Sequence, residues 1–515
     1  MSAAWVFLIL ALAPCVFGEH DRLQDVPGNW KEEFFVHMPL DHFNFADTRT
    51  FNMRYFLDLD YYEAGKPIFF YCGNEGFIEF YMKATSQILE WAKEFNAAVV
   101  YAEHRFYGET MPFGNESYTS AENLGYMTSS QALADYAKFI GYLKQSRIPK
   151  AQDSTVVVFG GSYGGMLAAW FRAKYPNIVD VAVASSAPVK LFVPSGEPYT
   201  QSFEILTRTL VNGGCNKEAL YKSWGAMTNL SKTESGRSKL NAIFHLAEKS
   251  QIKAPHDVYN LFAYIQSAFV DLTMVDYPYE NDIFNPLPAW PVKEACKFFK
   301  EEKKSNEDYA KAMFEMLDLI RNYDGKMKEF CVDSTVCEDD RDKFGEMKGW
   351  NWQSCTEFVL SGCSRGLPYD IFENSCPFTL KSNIENCLQL FKSIGYTAEM
   401  MRPASEITQY GENFTTASRI IFTYGDFDLT MAGAWSTTSK VERDIVNLIV
   451  KEGAHMYVLA GSHDNDTEFV KETRNEVKKY MNLWINNEDK DKTKNAVIKC
   501  LSLWVVLAFI VARFM

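Results

Sequence analysis

Short apolar runs alternate with stretches of helical spacing along the first part of the chain. Pro67 to Cys72 (PIFFYC), Ala97 to Tyr101 (AAVVY) and Ser154 to Phe159 (STVVVF) are continuously apolar and bounded by turn residues. That is the pattern of strands buried on both faces. Between the first two, Thr85 to Phe95 sets Ile88, Leu89, Trp91 and Ala92 at helical intervals, and Ser130 to Tyr142 is a second helical run. From about Leu191 to Pro403 helical patterning dominates and no strong strand is predicted. Alternation resumes with strands at Ser418 to Tyr424 (SRIIFTY) and Ile445 to Val450 (IVNLIV), followed by a helix over Asp466 to Trp484. The pattern predicts one α/β domain, with a mostly parallel sheet covered on both faces, interrupted by a helical insertion.

The two ends depart from this pattern. Trp5 to Ala13 is an apolar run followed by Pro14 and small residues up to Gly18, which reads as a secretory signal. At the other end, a polar stretch from Asn486 to Asn495 precedes an apolar core from Cys500 to Ala512. Such a helix spans only about 20 Å, short of the ~30 Å hydrocarbon layer. Two membrane-directed readings stay open, a lipid-anchor attachment signal and a short membrane anchor. The expected organisation is a signal over 1–18, an α/β domain over 19–190 and 410–486, an inserted helical cap over 191–409, and a spacer and tail over 487–515.

Composition narrows the class. The chain has 515 residues, 47% hydrophobic, too many and too apolar for a disordered chain or one small domain. Its 52 basic and 66 acidic residues leave a net charge of -14, a poor balance for neutralising phosphates, so nucleic acid is not an expected partner. Of eleven cysteines, Cys15 and Cys500 lie in the terminal runs and Cys72 in a strand, where a free buried thiol is expected. The remaining eight, Cys215, Cys296, Cys331, Cys337, Cys355, Cys363, Cys376 and Cys387, cluster in the insertion and predict up to four disulfides. They show no paired C-x₂-C spacing for zinc. Sequons at Asn115, Asn229, Asn413 and Asn465 agree with a secretory route.

The candidate chemistry lies where Val156 to Phe159 runs into Gly160-Gly161-Ser162-Tyr163-Gly164-Gly165, with a helix expected from Met166 to Tyr175. Strand, G-x-S-x-G and helix in that order are what a nucleophile elbow needs. A second pentapeptide, Gly362 to Gly366 around Ser364, lacks the strand, and Pro368 blocks a following helix. In this architecture the acid and the base follow the serine in that order. After the strand at 418–424 only His455 and His463 remain, and His455, directly past the next strand and a Gly453-Ala454 turn, is the favoured base. Either Asp426 or Asp428 could orient it. Oxyanion donors are expected at the Tyr163 N–H and in the Gly73-Asn74 loop. Glu75 and Glu103 are candidates to receive a substrate amine, with buried structural ion pairs as the rival role. The proposed chemistry requires no metal and no organic cofactor.

The residues resemble one family, the serine peptidases of family S28 that include lysosomal Pro-X carboxypeptidase, dipeptidyl peptidase II and thymus-specific serine protease. The resemblance rests on Leu40-Asp41-His42-Phe43, Gly73-Asn74-Glu75-Gly76, Glu103-His104-Arg105-Phe106-Tyr107-Gly108, Leu133-Ala134-Asp135, the Ser162 elbow, Ser185-Ser186-Ala187-Pro188, Leu287-Pro288-Ala289-Trp290-Pro291 and Gly453-Ala454-His455. It implies an α/β-hydrolase fold with a large disulfide-stapled helical cap. The implied activity is a serine-type exopeptidase, a carboxypeptidase or dipeptidyl peptidase acting on small peptides at or near proline. By the same resemblance the acid is Asp428, Met166 lines a proline pocket and a homodimer is an eligible assembly; the signal, the sequons, the cysteines and the apolar tail point to the secretory pathway, with an extracellular, lysosomal or membrane-attached destination. The sequence departs from the family where Asp-Pro-Trp becomes Asp428-Leu429-Thr430 and where a second histidine becomes Met456. Those departures motivate a rival reading, a surface protein of the same fold that binds peptides without turnover. A lipase or esterase is a third reading, resting on the elbow alone.

Overall fold

The computed structural model describes Leu23 and residues 26–192, 200–334, 336–337, 346–360, 362–373 and 379–486. The expected signal and the apolar tail lie outside them. Among the described residues no helix is long and apolar enough to cross a membrane.

Among the described residues nine strands form one sheet: β1 (Lys31–Pro39), β2 (Thr50–Asp58), β3 (Ile68–Cys72), β4 (Ala98–Ala102), β5 (Val156–Gly161), β6 (Val181–Ser185), β7 (Ile420–Gly425), β8 (Lys440–Glu442) and β9 (Ile445–Val450). Their order is β1-β2-β4-β3-β5-β6-β7-β9-β8. The run from β4 through β3, β5, β6 and β7 to β9 is parallel. The pairings β1–β2, β2–β4 and β8–β9 are antiparallel, so the sheet is mixed. This is the α/β-hydrolase arrangement.

The central strands are apolar throughout because both faces are covered. Phe69, Tyr71, Val157, Phe159, Val181 and Val183 share one core, which extends to the helices Gln87–Phe95 and Glu468–Ile485 and into the cap. Phe70, Val156, Val158, Ala182 and Ala184 point to the opposite core, under Ser129–Tyr142 and Ser162–Lys174. The strict alternation follows from the two-residue period of a strand.

Strands β1, β2, β6 and β8 have no counterpart in the sequence reading. β1 (KEEFFVHMP) is an edge strand with most of its residues exposed or half-buried. β6 (VAVAS) is short and built on small residues, and β8 (KVE) is fully exposed. In β2 the polar Asn52 and Arg54 interrupt the apolar residues, and the other three lack the bulky apolar run that marked β3, β4 and β5.

From Gln201 to Tyr410 the described elements are helical. Among the described residues the bridges Cys215–Cys296, Cys331–Cys337 and Cys355–Cys387 staple this region. Cys363 is disulfide-bonded as well, Cys376 lies outside the described residues, and Cys72 is a free, buried thiol.

Two of the long motifs serve this architecture directly. Arg105, fully buried, donates to both oxygens of Asp135 at 2.6 and 2.7 Å and to the carbonyls of Leu40, Tyr126 and Pro39. Asp135 Oδ1 also meets His42 Nε2 at 2.7 Å. One guanidinium therefore ties the loop after β4 to the helix Ser129–Tyr142 and the end of β1. Replacing it leaves a buried carboxylate uncompensated, so Arg105→Met is expected to cost about 3–5 kcal/mol in urea unfolding. A loss below about 1 kcal/mol would contradict that role.

Candidate active site

β5 ends at Gly161 and the next helix begins at Ser162 itself, four residues earlier than its glycine-rich first turn suggests. Ser162 takes φ 55°, a left-handed conformation costly for a residue with a Cβ. Glycines make the turn fit. A Cβ on Gly160 would lie 1.9 Å from the Gly164 carbonyl oxygen, and one on Gly164 would lie 2.2 Å from Asn74 Oδ1. Asn74 in turn donates to the Gly161 carbonyl at 2.7 Å and accepts from the Tyr71 hydroxyl at 2.9 Å. The loop after β3 is thereby clamped against the elbow. First-turn N–H groups of a helix lack intrahelical partners, which leaves the Tyr163 N–H beside the Ser162 hydroxyl.

The turns after β7 and β9 are pressed together. Phe427 N donates to the Gly453 carbonyl at 3.0 Å, and a Cβ on Gly425 would sit 2.0 Å from that oxygen. Their contact brings His455 Nδ1 within 2.9 Å of Asp428 Oδ2. Asp428 also accepts from the Thr430 N–H at 2.9 Å and the Thr430 hydroxyl at 2.6 Å. Burial pushes its carboxyl up, but the His455 charge and the hydrogen bonds from His455, Thr430 and Ser186 prevail and hold it below the usual aspartate value. With Nδ1–H donating to the carboxylate, His455 Nε2 carries the free lone pair. Nε2 and the Ser162 hydroxyl are both buried and make no hydrogen bond. Met456 joins the two halves: its sulfur would lie 2.1 Å from a Cβ on Gly161, directly before Ser162. The histidine loop thus packs on the elbow.

Three contacts that hold this loop carried no role in the sequence reading. His455 N donates to the Met274 carbonyl at 2.9 Å, and the Tyr277 hydroxyl donates to the His455 carbonyl at 2.6 Å. Both partners come from the cap. Ser186, at φ 52°, accepts from Met456 N at 2.8 Å. Its motif, Ser185 to Pro188, was visible in the sequence, but only the fold relates it to a residue 270 positions later.

The remaining candidates separate. Asp426 lies outside the His455 pair, and its main-chain carbonyl accepts from Arg208. His463 is exposed and stacks on Tyr279 at 4.2 Å. Ser364 sits in an irregular loop with its hydroxyl donated to Asp370 at 2.7 Å. Met166 is buried under the elbow in the second core. Glu103 is consumed by Arg54, Thr110 and the Glu109 N–H. Glu75 is buried with no well-formed hydrogen bond to either carboxyl oxygen, and burial pushes it up to about 7 against the weaker lowering pull of its own N–H and the Asn74 side chain. A Cβ on Gly73 would strike the Ala102 carbonyl at 2.3 Å, so the Gly73-Asn74 loop lies against the end of β4 as well as the elbow. Asn115, Asn229, Asn413 and Asn465 are all exposed. Among the described residues no cluster of three or more His, Cys, Asp or Glu could hold a metal.

Comparison with known proteins agrees with this geometry. The family model "Serine carboxypeptidase S28" matches residues 38–477. A Caenorhabditis elegans protein named "Prolyl carboxy peptidase like protein 5" is 41% identical over 471 residues, covering 91% of this chain and 92% of its own. "Lysosomal Pro-X carboxypeptidase" of Bos taurus is 37% identical over 456 residues, covering 88% of each chain, and the Homo sapiens protein of that name is 35% identical over 459 residues. The chain belongs to the serine carboxypeptidase S28 family. It is a serine-type peptidase.

Within this S28 chain, the altered positions have definite places. Thr430, which stands at the tryptophan position of the resemblance, turns its hydroxyl onto Asp428 and forms no aromatic wall. Met456, at the position of the resemblance's second histidine, packs its sulfur against Gly161. Because Asp428 holds the imidazole tautomer, Asp428→Asn is expected to lower kcat on the order of 10⁴-fold in peptide hydrolysis. The pair's stabilisation is present above the ordinary aspartate value of 3.8 and is lost as pH falls through the lower folded one. Thermal melts of Asp428→Asn should therefore lose part of the acid-side fall in Tm, and an unchanged melt profile would contradict the pairing.

Proposed function

We propose that this protein is a serine exopeptidase that trims small peptides from their carboxyl end, with Ser162 as nucleophile, His455 as base and Asp428 as its orienting acid. The observation that carries the reading is the His455 ring, held by Asp428 with Nε2 bare, in a loop packed on the elbow. His455 takes the Ser162 proton as the serine oxygen attacks the peptide carbonyl, and returns it to the leaving amine. The Tyr163 N–H and an N–H of the Gly73-Asn74 loop receive the oxyanion. Water then attacks the acyl-enzyme by the same route in reverse, restoring the serine.

Of the two acidic candidates, Glu75 receives the chain-end role, since Glu103 is already occupied. Burial favours its protonated form, which donates a hydrogen bond to a substrate carboxylate. The relatives named for Pro-X carboxypeptidase support cleavage beside proline, with Met166 as the apolar wall. The disulfides, the exposed sequons and relatives named lysosomal support passage through the secretory pathway.

A fluorophosphonate probe is expected to label the wild-type protein and not Ser162→Ala. Absence of labelling in folded wild-type protein would favour the rival, a peptide binder without turnover. Glu75→Gln, which still donates, should keep KM within about twofold, while Glu75→Leu should raise it on the order of tenfold by losing a hydrogen bond to a charged group. A tenfold rise in Glu75→Gln would point instead to amine recognition and trimming of the amino end.

A further inference from the structure

A second set of buried acids lies behind the elbow, outside the triad. Gln353, on the cap helix Glu346–Thr356, donates from its amide nitrogen to the Tyr163 hydroxyl at 3.0 Å and to Glu357 Oε1 at 2.9 Å. Its oxygen accepts from the Tyr107 hydroxyl at 2.5 Å. Tyr163 passes the chain on to His104 Nε2 at 3.0 Å. His104 must accept there, because its Nδ1–H is committed to the Arg105 carbonyl at 2.6 Å and burial keeps the ring neutral, lowering it to about 4. Every proton in the chain therefore has a direction. Gln353 thus donates both ways, to Glu357 and to the hydroxyl of Tyr163, the residue that follows Ser162, and Tyr163 donates onward to His104.

Glu357 accepts from the Ser129 N–H at 2.9 and 3.1 Å and from the Ser129 hydroxyl at 3.0 Å, in addition to Gln353. All of these favour a carboxylate. Glu406, on the helix Ser405–Tyr410, shares the Ser129 hydroxyl at 3.4 Å and is in hydrogen-bonding contact with Glu357, while its Oε1 has no partner. Two acids side by side in a dry site cannot both ionise cheaply. Other titratable groups facing the pair are Tyr410, Tyr163 and Tyr107, all held neutral by burial, and Lys174, whose charge acts on Glu406. Lys174 lies over the Tyr410 ring at 5.0 Å and donates to Gln409 Oε1 at 3.5 Å.

Building on the peptidase reading of Ser162, we propose that Glu357 and Glu406 share a proton that seats the cap on the nucleophile elbow, with Gln353 as the positioning residue for Tyr163. Losing that proton sets two carboxylates against each other, and the Gln353–Tyr163 hold loosens. The oxyanion donor on Tyr163 then loses its geometry. Burial raises both acids, Glu357 to about 7 and Glu406 further, with the Glu357 charge adding to the rise. The native protein thus holds protons that the unfolded chain releases. The pair's stabilisation is complete below the ordinary glutamate value of 4.5 and falls as pH rises through 7 and beyond.

The test measures Tm and the rate of fluorophosphonate labelling against pH in the full chain. For wild type, Tm should fall from pH 4.5 upward and the labelling rate should fall on the alkaline side. Glu406→Gln, which donates without titrating, should flatten the fall in Tm and extend labelling by a pH unit or more. Gln353→Met should keep the wild-type dependence of Tm but label at least several-fold more slowly, with the alkaline fall gone. Superimposable pH profiles for Glu406→Gln and wild type would overturn the shared proton. A flattened Tm profile with unchanged labelling would overturn the coupling to the elbow. If wild-type protein fails to label at any pH, the peptidase reading fails, and the coupling built on it falls too, while the melts still decide the shared proton.

Discussion

The site depends on backbones approaching closer than side chains allow. At the end of β5, Gly160 and Gly164 let the strand turn sharply into a helix while Ser162 carries the positive φ. At the ends of β7 and β9, Gly425 meets the Gly453 carbonyl with no room for a Cβ. These two contacts put the serine and the acid–base pair at the same edge of a sheet whose strands are otherwise packed on both faces. Strain of that kind persists only where the surroundings over-determine it. Here the Asn74 clamp and the packed Met456 supply that support.

Buried charge is handled differently in different parts of the fold. Arg105 and Asp135 neutralise one another, and Arg54 divides itself between Glu79 and Glu103. Those pairs are static supports between loops and strands. Asp428 is stabilised as an anion by His455 and Thr430, as the proposed role of orienting acid requires. Glu75 has no such partner, and its raised value follows from burial.

The cap does more than cover the sheet. Through Met274 and Tyr277 it grips the main chain of His455 on both sides, and through Gln353 it touches the elbow residue Tyr163. Its own helices are held by disulfides, so the gripping groups sit on a stapled frame. A substitution in the cap can therefore reach the chemistry without touching the triad.

Local pattern was enough to mark β3, β4, β5, β7 and β9 and the turn at Ser162, because buried strands with bulky residues are apolar throughout and such a turn needs glycines within a few residues. The order of the residues along the chain also limited the acid to Asp426 or Asp428. Strands β1, β6 and β8 stayed hidden, since exposed or small side chains leave no bulky apolar run, as did β2, interrupted by Asn52 and Arg54, and the helix start at Ser162, masked by glycines. Long motifs such as Glu103 to Gly108 were legible as motifs, but nothing local told an ion pair from a substrate contact. Only the tertiary structure brought Ser186 to Met456, Tyr277 to His455 and Glu357 beside Glu406, because those contacts join segments tens to hundreds of residues apart, and a one-dimensional pattern holds no record of which distant side chains share a buried space.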